Sequence, residues 1–329
     1  MLSAFPKSSS VAGEGRIVVK LLPNNVSAIE SMTYQYPLKL ISPDTTSEQG
    51  SALVFLLSYG GGLVGGDQIN LSIAVEPKAR LSVVTQGYTK VFQAVAPDIV
   101  TRQNIKVEIK DDAALCLLPD PVQPFAGSVY EQKQIFNLTA TASLYLLDWV
   151  TQGRTALGED WSLARWVGRN EVWSTSEPSS TNRLLVRDAI ILDGLSRPEG
   201  TGSLRESMHG HAVVGTLVLR GPMTTPVGEF FLAEFAALPR LGARDFRSTE
   251  TREKEEAMPQ SQFVRWRSRR LQEEKDKRIL WSAANVRGCV VVKFGAATVE
   301  AGRNWIGSML RQEGSIERDF GEQALMCVR

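Results

Sequence analysis

Residues 60–93, GGGLVGGDQINLSIAVEPKARLSVVTQGYTKVFQ, set the reading of the whole chain. A glycine-rich turn, with Gly61, Gly62, Gly65 and Gly66 inside it, runs into Asp67. Beyond it Ile69, Leu71, Ile73 and Val75 share one parity, while Asn70, Ser72 and Glu76 occupy the other or the turn that follows. A period of two marks a half-buried strand. After Glu76-Pro77-Lys78-Ala79, a second run carries Val83, Thr85, Gln86, Thr89, Lys90 and Phe92, a polar set for a strand behind a glycine turn. The turn also spells G-x-G-x-x-G. That fingerprint holds a pyrophosphate only where a helix N-terminus follows. Here a strand pattern follows, and Asp67 would meet the phosphate with like charge, so the glycines are read as serving positive φ and close strand approach.

Outward from this stretch the pattern repeats. Runs at 16–22, 37–43, 51–58, 105–110, 114–118, 130–138, 143–150, 164–173, 184–192, 212–219 and 289–294 read as strands, with turn residues between them. Helical spacing comes late, at 229–238 and 299–310. The expected fold is mainly β, an elongated strand-rich body built as a β-helical stack, with about two α-helices in the C-terminal third. Residues 1–15 read as a loose N-terminus, and 174–183 and 197–208 as surface loops. The segment 248–278 is charged with both signs and reads as a solvated insertion whose second half is an exposed helix. The rival reading is a partner-binding arm through Arg265, Arg267, Arg269 and Arg270.

The 329 residues carry 37 Lys and Arg against 36 Asp and Glu, so no global charge invites nucleic acid. Neither a signal peptide nor a membrane-length apolar run stands at the start, and the expected location is the cytoplasm. Cys116, Cys289 and Cys327 are far apart and read as reduced thiols. His209 and His211, the only histidines, leave two readings open, a chelating pair and incidental loop residues. Trp149, Trp161 and Trp166 are expected in the core. No nucleophile motif appears. Carboxylate pairs can be assembled from Asp67, Asp120, Asp148 and Glu159, but a chain of this size always offers such a choice.

The 60–93 segment resembles the one that marks the UreD (UreH) family of urease accessory proteins. LLPDPVQPFAGSVY (117–130), LLDWVTQGRTALGEDW (146–161), RLLVRDAIILDG (183–194), GHAVVGTLVL (210–219) and VVVKFGAATVEAGRNWIGSML (290–310) follow in that family's order. Pro119-Asp120-Pro121-Val122 looks like the eukaryotic, fungal form; bacterial members tend to carry Gln-Glu at positions 120 and 121. The resemblance implies a single domain over 1–329 that is not an enzyme. It implies a chaperone of nickel metallocentre assembly that binds a UreF-type protein, through it a UreG-type GTPase, and apo-urease. Ni²⁺ is then in transit through an internal tunnel, and no cofactor is tightly bound.

A conduit needs oxygen donors weak enough to release the ion. Asp67, Thr85, Gln86, Thr89, Asp120, Asp148 and Glu159 are the candidates for that path. Gly61, Gly62, Gly65, Gly66, Lys90, Arg154 and His211 are the framework, with Lys90 and Arg154 expected to pair with buried carboxylates. Asp67 has an alternative role as the cap of the glycine turn. Two rival functions remain at this stage: a structural adaptor that never touches nickel, and a β-rich hydrolase using a carboxylate pair.

Overall fold

The computed structural model describes residues 11–43, 50–175, 182–195, 202–238 and 261–329. Among the described residues seventeen strands form two sheets. The seven-stranded sheet runs, in spatial order, β14 (Arg183–Asp193), β13 (Arg165–Ser174), β11 (Val129–Leu138), β8 (Thr101–Ile109), β5 (Gln68–Val75), β1 (Glu14–Leu21) and β2 (Ser27–Tyr34). The larger sheet runs β16 (Leu280–Val286), β17 (Cys289–Ala296), β15 (Val213–Arg220), β12 (Ser143–Thr151), β9 (Ala114–Leu117), β6 (Arg80–Val84), β4 (Ala52–Ser58) and β3 (Leu38–Ile41). The short β7 (Thr89–Val91) and β10 (Val122–Pro124) pair beside β12.

From β4 to β13 the chain alternates between the sheets. Strands β5, β8, β11 and β13 are parallel neighbours in one sheet. Strands β4, β6, β9 and β12 are parallel neighbours in the other. This is a β-helical winding, closed by antiparallel strands at both ends.

The two sheets differ in what covers them. The smaller keeps one face in water, and β8 alternates buried with half-buried or exposed along its whole length. The larger is sandwiched between the other sheet and a helical layer, so β9 and β12 are buried at every position. That layer contains α2 (Thr225–Ala236), α3 (Gln262–Asp276), α4 (Val299–Glu313) and α5 (Ser315–Phe320), after a single turn, α1 (Leu204–Ser207). Trp305 packs against Phe231, Trp281 and Phe294 in the second core. The first core lies between the sheets and includes Ile17, Val107, Phe136, Leu144, Leu146 and Trp166.

Several expectations change. The second run of 60–93 is two strands: β6 ends at Val84, Gly87 turns at φ 86°, and β7 starts at Thr89. The polar residues Thr85 and Gln86 therefore lie in a bend between strands. Beside the helices expected at 229–238, 262–278 and 299–310, α5 adds one that the spacing did not predict. Strands β2 and β16 lack clean alternation and were not predicted. Within 197–208, residues 202–208 are described, and Ser203 and Glu206 form a capping box on α1. Of the charged segment, 248–260 lies outside the described residues. Its helix forms at 262–276 but is not exposed all round: Arg270 is 3% exposed and bonds Glu234 at 3.0 Å and Glu274 at 2.6 Å. Arg267 also pairs with Glu234, and Trp305 Nε1 donates to Glu274 at 2.8 Å. These arginines face the protein because the buried carboxylates of Glu234 and Glu274 demand partners.

Candidate functional site

Strands that face an apolar core place apolar residues at every second position. Seven strands break that rule. On the smaller sheet Gln103 (β8), Gln132 and Gln134 (β11), Asn170 (β13) and Asp188 (β14) occupy buried positions of inward parity. On the larger, Asp148 (β12) and Thr216 (β15) do the same, and Lys293 (β17) shares their parity at an exposed position on the rim. Register aligns them into two facing rows. Gln134 is opposite Asn170 and Asn170 opposite Asp188; Asp148 is opposite Thr216 and Thr216 opposite Lys293.

Hydrogen bonds bridge the rows. Gln132 Nε2 donates to Asp148 Oδ1 at 2.8 Å, and Asn170 Nδ2 donates to Asp148 Oδ2 at 2.6 Å. Gln134 Nε2 donates to Asn170 Oδ1 at 3.0 Å, and Tyr130 Oη to Gln132 Oε1 at 3.3 Å. Lys293 Nζ donates to Asp188 Oδ1 at 2.5 Å. Burial pushes the Asp148 carboxyl above the ordinary aspartate range. The amide bonds from Asn170 and Gln132 pull it back; the Asp188 charge pushes it up again, and the Lys293 charge lowers it.

At one end of the rows lies a cavity of about 30 Å³, lined by Thr85, Thr89, Gln103, Asp120, Gln132, Gln134 and Asp148 among others. That is room for one or two waters. Leu56, Thr85 and Thr89 also line an open cleft of about 280 Å³, to which Gln86, Tyr59 and Gly60 contribute. At the other end Thr216, Lys293 and His211 line a groove of about 430 Å³ with Ile190 and Trp281.

Four of the sequence candidates, Thr85, Thr89, Asp120 and Asp148, are thus brought together at the inner cavity, and Gln86 stands at the cleft outside it. Asp120 is heavily engaged. It accepts from Thr85 Oγ1 at 3.0 Å, from Gly87 N–H at 2.9 Å and from Arg303 of α4 at 2.7 Å. Asp67 and Glu159 lie elsewhere. Asp67 accepts the Val64 N–H at 2.8 Å, the bond of a turn cap. Glu159 is buried against Arg154, whose guanidinium stacks on Phe125 at 3.8 Å. Burial alone would raise the Glu159 carboxyl, but hydrogen bonds from Arg154 and from the Ala126 backbone hold it below the usual range.

Lys90 is exposed, and its backbone carbonyl accepts from Leu63 at 2.8 Å. The close approach is what Gly62 permits, since a Cβ there would stand 2.9 Å from the Lys90 carbonyl oxygen. Gly66 sits at φ 92°, a conformation that favours glycine. His211 Nδ1 faces the Met208 carbonyl at 3.0 Å. Among the described residues no three His, Cys, Asp or Glu side chains are grouped as a metal cluster. All three cysteines are buried; burial raises each thiol, Cys289 to about 11 and Cys327 to about 12. Thiolates are scarce at neutral pH under those conditions.

Sequence reasoning missed Gln103, Gln132, Gln134, Asn170, Asp188, Thr216 and Lys293. The signal for the first three was present: Thr101-Gln103-Ile105-Val107 and Tyr130-Gln132-Gln134-Phe136 place amides at apolar parity.

The site is thus a string of buried polar side chains between the sheets of a strand-wound body. The comparisons give the chain its family. The family model described as UreD urease accessory protein matches residues 12–326, and the chain belongs to that family. An uncharacterised ureD-like urease accessory protein of Schizosaccharomyces pombe is 33% identical over 295 residues, covering 89% of this chain and 91% of that one. Urease accessory protein 4 of Cryptococcus neoformans is 27% identical over 336 residues, covering 92% and 91%. Urease accessory protein D of Oryza sativa subsp. indica is 31% identical over 217 residues, covering 65% and 67%. Membership assigns the chain a role in urease maturation. No described helix is long and apolar enough to cross a membrane.

Proposed function

We propose that this chain is a non-enzymatic scaffold of urease activation. It holds a UreF-type partner and apo-urease, and it conducts Ni²⁺, delivered by a UreG-type GTPase, along the polar rows between its sheets. One observation carries this reading: carboxylate, amide and hydroxyl groups are placed in an otherwise apolar core between the cleft at Thr85 and Gln86 and the groove at Lys293. A core built for stability alone has little use for it, because burying polar groups gains little even when each is hydrogen-bonded. Oxygen donors of moderate strength suit a divalent ion that must move on. Asp148 is the formal charge at the centre of the rows, and the amides of Gln132, Gln134 and Asn170 support it. Asp120, tied to Arg303, shapes the mouth.

The test is urease activation in a mixture of apo-urease, both partner proteins, GTP, bicarbonate and limiting nickel. Activation is expected to require this chain. Asp148→Asn is expected to slow activation on the order of tenfold, the scale seen when groups around a metal path or site are lost, with complex formation intact. An unchanged rate in an intact complex would leave a structural adaptor that never contacts nickel.

A further inference from the structure

Lys293 is out of keeping with its surroundings. Strand β17 is otherwise apolar at its inward positions, with Cys289 and Val291 beside it. A lysine of this parity points its stem into the sheet interface, yet its side chain is 50% exposed because it stands at the rim of the outer groove. Its ammonium reaches back to Asp188, which is 8% exposed. Between Asp148 and Lys293 in the register stands Thr216, 1% exposed, with a hydroxyl that has no hydrogen-bond partner. Asp148 is bonded from the opposite sheet by Asn170, the register partner of Asp188. Two carboxylates, an unpartnered hydroxyl and one half-exposed cation therefore share one corner of the sandwich. A cation beside them eases the repulsion between the two carboxylates. The lysine that supplies it is a compact point charge on a flexible stem with water beside it.

We propose that Asp148, Asp188 and Thr216 form a divalent-cation site between the sheets, and that Lys293 occupies it as a tethered counter-ion which an ion in transit displaces into the groove. The proposal rests on the passage reading above and adds a gate to it. Lys293 sets the affinity of the last station: it keeps the site from retaining the ion and closes the far end while no ion is present.

The probe is Ni²⁺ alone, titrated by calorimetry and by equilibrium dialysis against the full chain. Lys293→Met is expected to bind one ion at least tenfold more tightly than the parent chain. Lys293→Gln, whose amide still donates to Asp188, is expected to show the same direction, and it serves if the methionine variant does not fold. Adding Asp188→Asn, or Thr216→Val, to either is expected to abolish most of the gain. Folded Lys293→Met and Lys293→Gln chains with parental affinity would overturn the proposal, as would a gain that survives Asp188→Asn. In the activation mixture the tighter site is expected to retard transfer at limiting nickel while the final activity is unchanged. Failure of the passage reading is a separate result. It shows as normal activation by Asp148→Asn, whatever Lys293 variants do to binding.

Discussion

The polar rows end in two carboxylates of similar burial that are neutralised in different ways. Asp120 is held by a guanidinium that also donates to the Cys327 carbonyl and lies 5.7 Å from the Trp149 ring and 5.8 Å from that of Tyr88. Arg303 is 20% exposed and belongs to a 15-residue helix packed on the second core. Asp188 is held by one ammonium at the rim of a groove. A planar fork with several partners is fixed in place, whereas a single hydrated point charge exchanges. The difference separates a structural closure from a movable one within a single string of donors.

The following measurements break or sharpen this contrast. The largest effect is expected at the fixed end. Arg303→Ala leaves Asp120 buried without its cation, and a loss of about 3 kcal/mol in unfolding free energy is expected from denaturant titration. At the movable end Lys293→Met is expected to cost under about 1 kcal/mol, since half-exposed ion pairs contribute little. Equal losses would erase the distinction between the ends. The conservative exchanges should differ too. Arg303→Lys removes the fork and the ring contacts and is expected to cost about 1–2 kcal/mol, while Lys293→Arg should leave melting nearly unchanged and slow activation.

The smallest effect is in pH. Asp148 has a folded pKa above its unfolded value, so in the window between them the native state keeps a proton that the unfolded chain has lost. Its contribution to stability therefore falls as pH rises through that window. Glu159 has the opposite sign: its contribution is present above the ordinary glutamate range and is lost as pH falls through the depressed folded value. Melting temperatures of Asp148→Asn and Glu159→Gln against pH should lose these opposite slopes. Activation by the parent chain should weaken on acidification before an ordinary carboxylate would protonate, and Asp148→Asn should lack that limb.

The smaller sheet was legible in the sequence because one of its faces meets water. Alternation in β5 and β8 stated both the strand and its inward side. Had parity been followed through β8 and β11, Gln103, Gln132 and Gln134 would have stood out as polar groups pointing the wrong way. The larger sheet offered no such guide. Strand β12 is buried on both faces, so Asp148 was visible only as a carboxylate in an apolar run, and nothing local said which core it enters. Thr216 and Lys293 were hidden for the same reason. Arg303 was beyond local reading, since it meets Asp120 across 183 residues of sequence. The bend at Thr85–Tyr88 was read as strand because its flanking residues are β-formers, while Gly87 supplies the positive φ that ends β6.

The rows run across the strands, and this has a consequence for assembly of the molecule. Their members are spread from Gln103 to Lys293, and no strand supplies more than two of them. A chain still emerging during synthesis has scattered amides and acids, and one whose last hairpin has come away lacks the Lys293 that meets Asp188. Under the proposed passage reading, the capacity to carry an ion comes only with the completed rows, and a copy without them has no path for its cargo.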